Sequence, residues 1–315
     1  MAMKTTEIAA YNVIKNILSP THKVKGSDSY SSIRKMFIDL GYGVGGDRVE
    51  GLIFKGLDLS NMDLSDLDFG GVDLREVVLT GANLSEANLS KADMRGLDLN
   101  MVNLQGARLK DTDMSKADLR GANFRGAFFK HTNIAGCICT QASFEGCRLD
   151  NVEAFEAVFT DCNMLKATLI DSNFNGADFS HTHLNEATIK NGAYESAVLE
   201  STNLTSAIIV GGNYDSAVFT GANLHQADIK EAHFESADFT SANLREATIK
   251  DSNFNYGVLR KTDFEGAHFD QVEFYHADLR GADLTDTNIR EPNMTQLHGA
   301  AFEGEGPNLN QSRDI

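Results

Sequence analysis

Carboxylates, histidines and cysteines are the residues of this chain whose types could support chemistry. The 315 residues include 45 Asp and Glu, nine His and four Cys. Paired carboxylates could act as general acid and base, His181 and His183 could ligate a metal, and clustered thiolates could bind zinc. The four thiols belong to Cys137, Cys139, Cys147 and Cys162. Each interpretation depends on where the fold places these side chains.

A five-residue repeat accounts for the positions of most of them. From Leu52 to Met294 a small residue, a polar residue (often Asp or Asn) and a large apolar residue recur, followed by two hydrophilic residues. The apolar centre falls on every number ending in 4 or 9, which gives 49 repeats without insertion or deletion. Only Cys139 and Ala154 replace a large apolar centre. Repetition at a fixed period predicts a repeat architecture before any single residue is considered.

The repeat explains most of these residues without a catalytic or metal-binding role. The carboxylates recur because the repeat recurs, so their pairing carries no catalytic information. His181 and His183 fall at different positions of the repeat, and all four cysteines fall at inward positions, where reduced thiols pack as small apolar groups. The sequence contains no phosphate-binding glycine loop, nucleophile elbow or zinc-protease motif. We therefore predict no enzyme activity, no cofactor and no metal.

A period of five fits neither an α-helix nor a flat strand, but it fits a chain that turns a corner every five residues. Four sides would make a coil of twenty residues, and equivalent residues do recur at that period. One column holds only aromatic residues, and another holds only isoleucine. These columns are Phe174, Tyr194, Tyr214, Phe234, Phe254 and Phe274, and Ile189, Ile209, Ile229 and Ile249. Stacked inward columns of this kind indicate a square solenoid.

The alanine–Asp/Asn–leucine pattern resembles the pentapeptide repeat family over roughly residues 52–294. The resemblance implies an all-β solenoid, a right-handed quadrilateral parallel β-helix of about twelve coils. We predict a helical N-terminal cap or interaction module at residues 1–50, the β-helix at residues 51–294 and a polar C-terminal tail or cap at residues 295–315. The tail lacks the amphipathic helix through which some family members dimerise, so a monomer and an end-to-end dimer both remain open.

The charge is concentrated in the repeats. The net charge is −17, while the first fifty residues carry +2, which leaves −19 for the remainder. This balance argues against direct binding of nucleic acid. The sequence contains no run of about eighteen apolar residues, so we expect no membrane span. The first residues lack a secretory signal pattern. Together with reduced cysteines, these features predict a cytoplasmic protein.

Two sets of outward residues are candidates for binding a protein partner. The first is an acidic column at coil spacing, with a lysine column expected on the opposite side; the acids are Asp98, Asp118, Asp178, Asp238 and Asp278. The second is a group of apolar residues near the middle of the repeats, namely Phe128, Ile138, Phe155, Val158, Leu165 and Ile170. Because Ala154 underfills its central position, an alternative is that Phe155 turns inward and belongs to the core.

Two functions remain open. The resemblance implies an acidic rod that mimics DNA, binds a type II topoisomerase such as DNA gyrase or topoisomerase IV, and modulates it or protects it from inhibitors. Twelve coils would span about 60 Å, a length over which duplex DNA carries on the order of 35 charges, so the mimicry would be partial. The alternative, favoured by the 50-residue preface, is a bacterial effector exported into a host cell, or a scaffold that binds a host or cytoplasmic protein.

Overall fold

The computed structural model describes residues 35, 37–43 and 54–288. The chain divides into two compact units, residues 1–148 and 149–315, called here the N-terminal and C-terminal units. Of the predicted helical module at residues 1–50, residues 1–34, 36 and 44–50 lie outside the described residues, and so does the polar tail at residues 295–315. The division into a cap, a β-helix and a tail therefore stays a prediction.

Each five-residue repeat forms one side of a four-sided coil. The carbonyl oxygen of an apolar centre accepts a hydrogen bond from the N–H three residues later, as between Phe54 and Leu57 at 3.0 Å. The residue before that donor is left-handed, with φ of 63° at Lys91 and 56° at Met101. Parallel bridges then join residues twenty positions apart, such as Asn83 and Asn103. The corner thus recurs every five residues, whether or not the corner residue is glycine.

The four sides can be named from one coil of the C-terminal unit. Sides 1, 2, 3 and 4 are centred on Phe234, Phe239, Leu244 and Ile249, and within each unit residues twenty positions apart share a side. The same numbers label the corresponding repeat positions of the N-terminal unit. Sides 1 and 3 are opposite each other, and so are sides 2 and 4, because half a coil separates them.

Regular strands form on side 4. They are β1 Phe128–Lys130, β2 Arg148–Asp150, β3 Thr168–Ile170, β4 Thr188–Lys190, β5 Ile208–Val210, β6 Asp228–Lys230, β7 Thr248–Lys250 and β8 His268–Asp270. Strands β3 to β8 pair in parallel and in sequence order, with Ile209 opposite Ile229 and Ile229 opposite Ile249. Side 4 is rich in Thr, Ile and Val, whose branched side chains favour extended backbone.

The apolar centres form the core. Every centre from Phe54 to Leu279 is buried. In the C-terminal unit the side 1 centres stack as rings, with 4.7 Å between the centroids of Tyr194 and Tyr214 and 5.0 Å between those of Tyr214 and Phe234. These observations confirm the all-β solenoid predicted from the repeat.

When the inward small position holds a hydroxyl or thiol side chain, that side chain donates a hydrogen bond to a carbonyl oxygen. The hydroxyl of Thr112 donates to the carbonyl of Leu89 at 2.8 Å, twenty-three residues earlier. Cys137 and Cys147 take the same position, and their thiols donate to carbonyls twenty-three residues earlier at 2.9 and 2.8 Å. All four cysteines are buried and form no disulfide. The prediction that they belong to the core is therefore confirmed.

The described part of the N-terminal module packs against the first coil. A single π-helical turn, Ile38–Tyr42, follows Phe37. The rings of Phe37 and Tyr42 lie 6.0 and 5.6 Å from the ring of Phe54, and Phe37 is fully buried. Within the described residues, no helix has the length and apolar character required to cross a membrane.

Candidate protein-interaction surface

In each unit the acids of the column predicted from the sequence lie on side 2, and their carboxylates hold the turns of the coil. The carboxylate of Asp98 accepts a hydrogen bond from the N–H of Asn100 at 3.0 Å. Asp178 and Asp238 accept equivalent bonds two residues on, at 2.9 and 2.8 Å. Asparagine makes the same contact on the other sides. Asp or Asn precedes the apolar centre because either side chain can satisfy the turn.

Arginines neutralise part of this column. The guanidinium of Arg120 bonds to Asp118, and those of Arg280 and Arg260 bond to Asp278 at 2.7 and 2.5 Å. The side-chain hydrogen bonds from Arg120 and Arg280 lower the pKa values of the two carboxyl groups. These acids remain ionised, but a neighbouring cation compensates their charge.

Valines interrupt the column in the C-terminal unit. Bridges run from Val158 to Asp178 and on to Val198, and likewise from Val218 to Asp238 and on to Val258. An acid therefore appears only in every second or third coil. The lysines of side 4 are half a coil away, with Lys230 and Lys250 paired to aspartates at 2.7 and 3.1 Å. The sequence places Lys110, Lys130, Lys190, Lys230, Lys250 and Arg290 in this basic column, and Arg290 lies outside the described residues.

The apolar candidates do not share a side. In the C-terminal unit Phe155 lies on side 1, Val158 on side 2, Leu165 on side 3 and Ile170 on side 4, as their positions in the twenty-residue coil require. In the N-terminal unit Phe128 lies on side 4 and Ile138 on side 2. Within each unit, the residues proposed as one patch are therefore distributed around the coil.

Phe155 does not enter the core. Its side chain is 45% exposed, whereas Ala154 is fully buried. The N–H of Ala154 donates to the carbonyl of Asn173 at 2.8 Å, so the coil keeps its register at this position. The interpretation that Phe155 turns inward to fill the space left by Ala154 is wrong.

Sequence reasoning missed the most uniformly acidic surface, which is side 1 of the C-terminal unit. Its outward positions, from residue 153 to residue 276, include six carboxylates and neither lysine nor arginine. The carboxylates are Glu153, Glu156, Glu195, Asp215, Glu235 and Glu273. We call this surface the acidic side. Reading every twentieth residue from position 155 would have found it, because that column contains no basic residue.

An aromatic cluster lies at the C-terminal end of the acidic side. Tyr256 is 50% exposed and Tyr275 is 37% exposed, and their rings meet edge to face with 5.6 Å between centroids. The ring of His276 stacks on Tyr256 at 5.5 Å. Asn255 accepts a hydrogen bond from the N–H of Tyr275 at 2.6 Å and donates one to Glu273 at 2.9 Å. One side chain thus links the backbone of Tyr275 to the carboxylate of Glu273.

One group of carboxylates on side 3 has metal-like spacing. Ligand atoms of Asp263, Glu265 and Asp283 lie within 4.8 Å of one another. Arg245 pairs with Asp263 at 3.3 Å and also with Glu265, so an internal cation already compensates the cluster. His181 and His183 belong to no such group among the described residues.

The repeats match two family models. One, described as pentapeptide repeats in eight copies, matches residues 49–81, 73–111, 112–151 and 155–191; the other, a pentapeptide repeat region, matches residues 212–284 and 227–302. The chain belongs to the pentapeptide repeat family. This family assignment agrees with the buried centres and the parallel bridges between residues twenty positions apart.

Solved pentapeptide repeat proteins resemble the chain at low identity. HetL of the cyanobacterium Nostoc, involved in heterocyst differentiation regulation, is 26% identical over 69% of this chain and 91% of its own, with a TM-score of 0.41. QnrB1, a plasmid-mediated fluoroquinolone resistance protein, is 16% identical over 73% of this chain and 93% of its own, with a TM-score of 0.21. A pentapeptide repeat protein of the Arabidopsis thaliana thylakoid lumen is 23% identical over 39% of this chain and 75% of its own, also with a TM-score of 0.21. No curated protein matches.

Proposed function

We propose that this pentapeptide repeat protein is a non-catalytic polyanion mimic that occupies a basic, DNA-binding surface of a type II topoisomerase such as DNA gyrase. The observation that supports the proposal is the acidic side, where six carboxylates occur in five of seven successive coils and no lysine or arginine is present. Glu195, Asp215 and Glu235 lie in consecutive coils, so their spacing along the solenoid is about 4.8 Å. Repeat solenoids commonly use such extended surfaces to bind other proteins.

The ion pairing of the sides favours side 1 over the column on side 2. None of the six carboxylates of the acidic side forms an ion pair with another described residue, whereas Asp118 and Asp278 of side 2 are paired with arginine. An uncompensated charge acts at longer range on a basic partner than a compensated one. The charge density is lower than that of duplex DNA, which carries one charge per about 1.7 Å, so we expect strong salt dependence and moderate affinity.

The test is DNA supercoiling by gyrase, with and without the protein, together with drug-induced DNA cleavage. We expect the protein to reduce supercoiling or cleavage at about 50 mM salt and to lose this effect at about 200 mM, as contacts to phosphate do. Topoisomerase IV relaxation provides the parallel assay. If neither enzyme responds to tens of micromolar protein in low salt, the proposal fails. The alternative, an effector or scaffold, rests on residues 1–50, most of which lie outside the described residues.

A further inference from the structure

The aromatic cluster of Tyr256, Tyr275 and His276 has a chemistry that charge mimicry alone does not need. We propose that this cluster, together with Glu273, is the docking site for an arginine side chain in an extended, basic segment of the partner protein. The inference deepens the proposed function, because it names the chemical group that the C-terminal end of the acidic side recognises.

The fold does not require aromatic residues at these corners. The equivalent corner in the four preceding coils holds Gly176, Ser196, Ser216 and Ser236. Tyr256 and His276 take left-handed φ values of 58° and 57°, a conformation that costs energy for any residue with a bulky side chain. Small residues make the same corner elsewhere, so backbone geometry does not explain these rings.

Arginine fits the arrangement better than other groups. A planar guanidinium stacks on aromatic faces and at the same time donates to a carboxylate. Asn255 holds the Tyr275 backbone and the Glu273 carboxylate together through bonds of 2.6 and 2.9 Å. The chain makes a related contact itself, since the guanidinium carbon of Arg148 lies 5.8 Å from the centre of the Phe128 ring.

The rest of the acidic side indicates that the occupant is an extended segment. From the cluster, carboxylates continue through Glu235, Asp215 and Glu195 in successive coils. Two coils span about 9.6 Å, and three residues of a segment in the extended polyproline II conformation span about 9.3 Å and bring the side chain back to the same face. Arginines three residues apart would therefore meet carboxylates on alternate coils, and this side presents no lysine or arginine to repel them.

The experiment uses the full chain and a dye-labelled peptide with four arginines separated by Gly-Gly, followed by fluorescence anisotropy at low salt. The lysine version of the peptide tests the contribution of the planar guanidinium. The double variant Tyr256→Leu with Tyr275→Leu should weaken binding of the arginine peptide about tenfold. The double variant Tyr256→Phe with Tyr275→Phe keeps the rings and should bind as the wild type does. Circular dichroism checks that each variant is folded.

Phe128→Leu is the control, because Phe128 is an outward, half-buried aromatic residue on side 4 and does not belong to the acidic side. It should leave binding unchanged. An equal loss with Phe128→Leu, no loss with the double leucine variant, or no binding of the arginine peptide by wild-type protein would each overturn the inference. The two proposals can fail separately. Peptide binding without any effect on topoisomerase would reject the proposed function and keep the docking site. An effect on topoisomerase without peptide binding would keep the proposed function and reject the docking site.

Discussion

At the scale of the residue, two tyrosines in the core are adapted to their coils. Tyr194 and Tyr214 replace phenylalanine in the side 1 column, and both are at most 2% exposed. In each case the inward residue two positions earlier is glycine, and a Cβ atom at Gly212 would lie 3.1 Å from the Tyr214 ring. Neighbouring coils use Ser172 or Ala232 instead. Tyrosine and glycine thus occur together because each tyrosine ring lies where a methyl group at the inward position would contact it too closely.

The hydroxyl groups of these tyrosines lead to a stability prediction. Neither hydroxyl has a hydrogen-bond partner among the described residues, and burial raises the pKa of the Tyr214 hydroxyl far above its ordinary value. Tyr214→Phe keeps the stacked ring and should raise the free energy of unfolding by about 1 kcal/mol, since an unsatisfied buried hydroxyl is removed. Urea denaturation measures the change. The reverse substitution Phe234→Tyr, next to Ala232, should destabilise, and a loss of stability in Tyr214→Phe would contradict this account.

The buried thiols predict a dependence of stability on alkaline pH. Burial raises the pKa of Cys137 and of Cys147 from 9.0 to about 12. The unfolded chain therefore releases these protons at lower pH than the folded chain does. The stabilisation is complete below about pH 9 and is lost as the pH rises toward 12, by up to about 1.4 kcal/mol per pH unit for each thiol.

Threonine substitution tests this prediction. The variant Cys137→Thr with Cys147→Thr keeps a donor at a position where Thr112 already bonds to a carbonyl, and it removes the titrating groups. Between pH 8 and pH 10.5, the free energy of unfolding measured with urea should fall more steeply with pH for the wild type than for this variant. Equal slopes would mean that the thiols do not contribute.

At the scale of the element, strand β5 offers two adjacent isoleucines on opposite faces. Ile209 is 1% exposed and stacks between Ile189 and Ile229, whereas Ile208 is 42% exposed. Ile209→Asn should lower the free energy of unfolding by about 3–5 kcal/mol, because it removes buried apolar surface and buries an amide. Ile208→Asn should cost less than about 1 kcal/mol. Thermal and urea unfolding measure both, and comparable losses would contradict the register.

The elements were predictable from the sequence because their pattern recurs without interruption. Centres on every number ending in 4 or 9 specify which side chains are inward, and columns such as Ile209 and Ile229 specify the coil. The surface was less predictable because an aspartate in the repeat can either carry an unpaired charge or hold a turn of the coil. Asp98 looks like free charge in the sequence but holds a turn in the fold, and Arg120 and Arg280 pair with acids two residues away.

The location of the binding surface needed the coil as well as the columns. Phe155 and Leu165 are ten residues apart and look like neighbours in the sequence, but a four-sided coil places them on opposite sides. The same geometry brings Tyr256 next to Tyr275, nineteen residues later, with 5.6 Å between ring centroids. Columns of single residue type are visible in a sequence, whereas the total charge of a side appears only when all its outward positions are combined.

At the scale of the whole molecule, the net charge of −17 is not shared equally among the sides. In the C-terminal unit, sides 2, 3 and 4 each contain acids together with lysine or arginine. Side 1 contains acids but neither lysine nor arginine. A basic partner is therefore attracted most strongly to side 1, and side 4 with Lys190, Lys230 and Lys250 is the least favourable approach. We therefore expect the difference in charge between the sides, and not the total charge of the protein, to determine which side contacts the partner.

Two sets of neutralising substitutions test that direction. Glu195→Gln, Asp215→Asn and Glu235→Gln remove three charges from side 1, and Asp178→Asn, Asp238→Asn and Asp278→Asn remove three from side 2. Asparagine already holds equivalent turns, as at Asn243, so the second set should keep the fold. If side 1 faces the basic surface, only the first set should abolish the effect on topoisomerase and flatten its salt dependence, because fewer charges engage the partner. Equal losses from both sets would show that total acidity, and not side 1, determines binding.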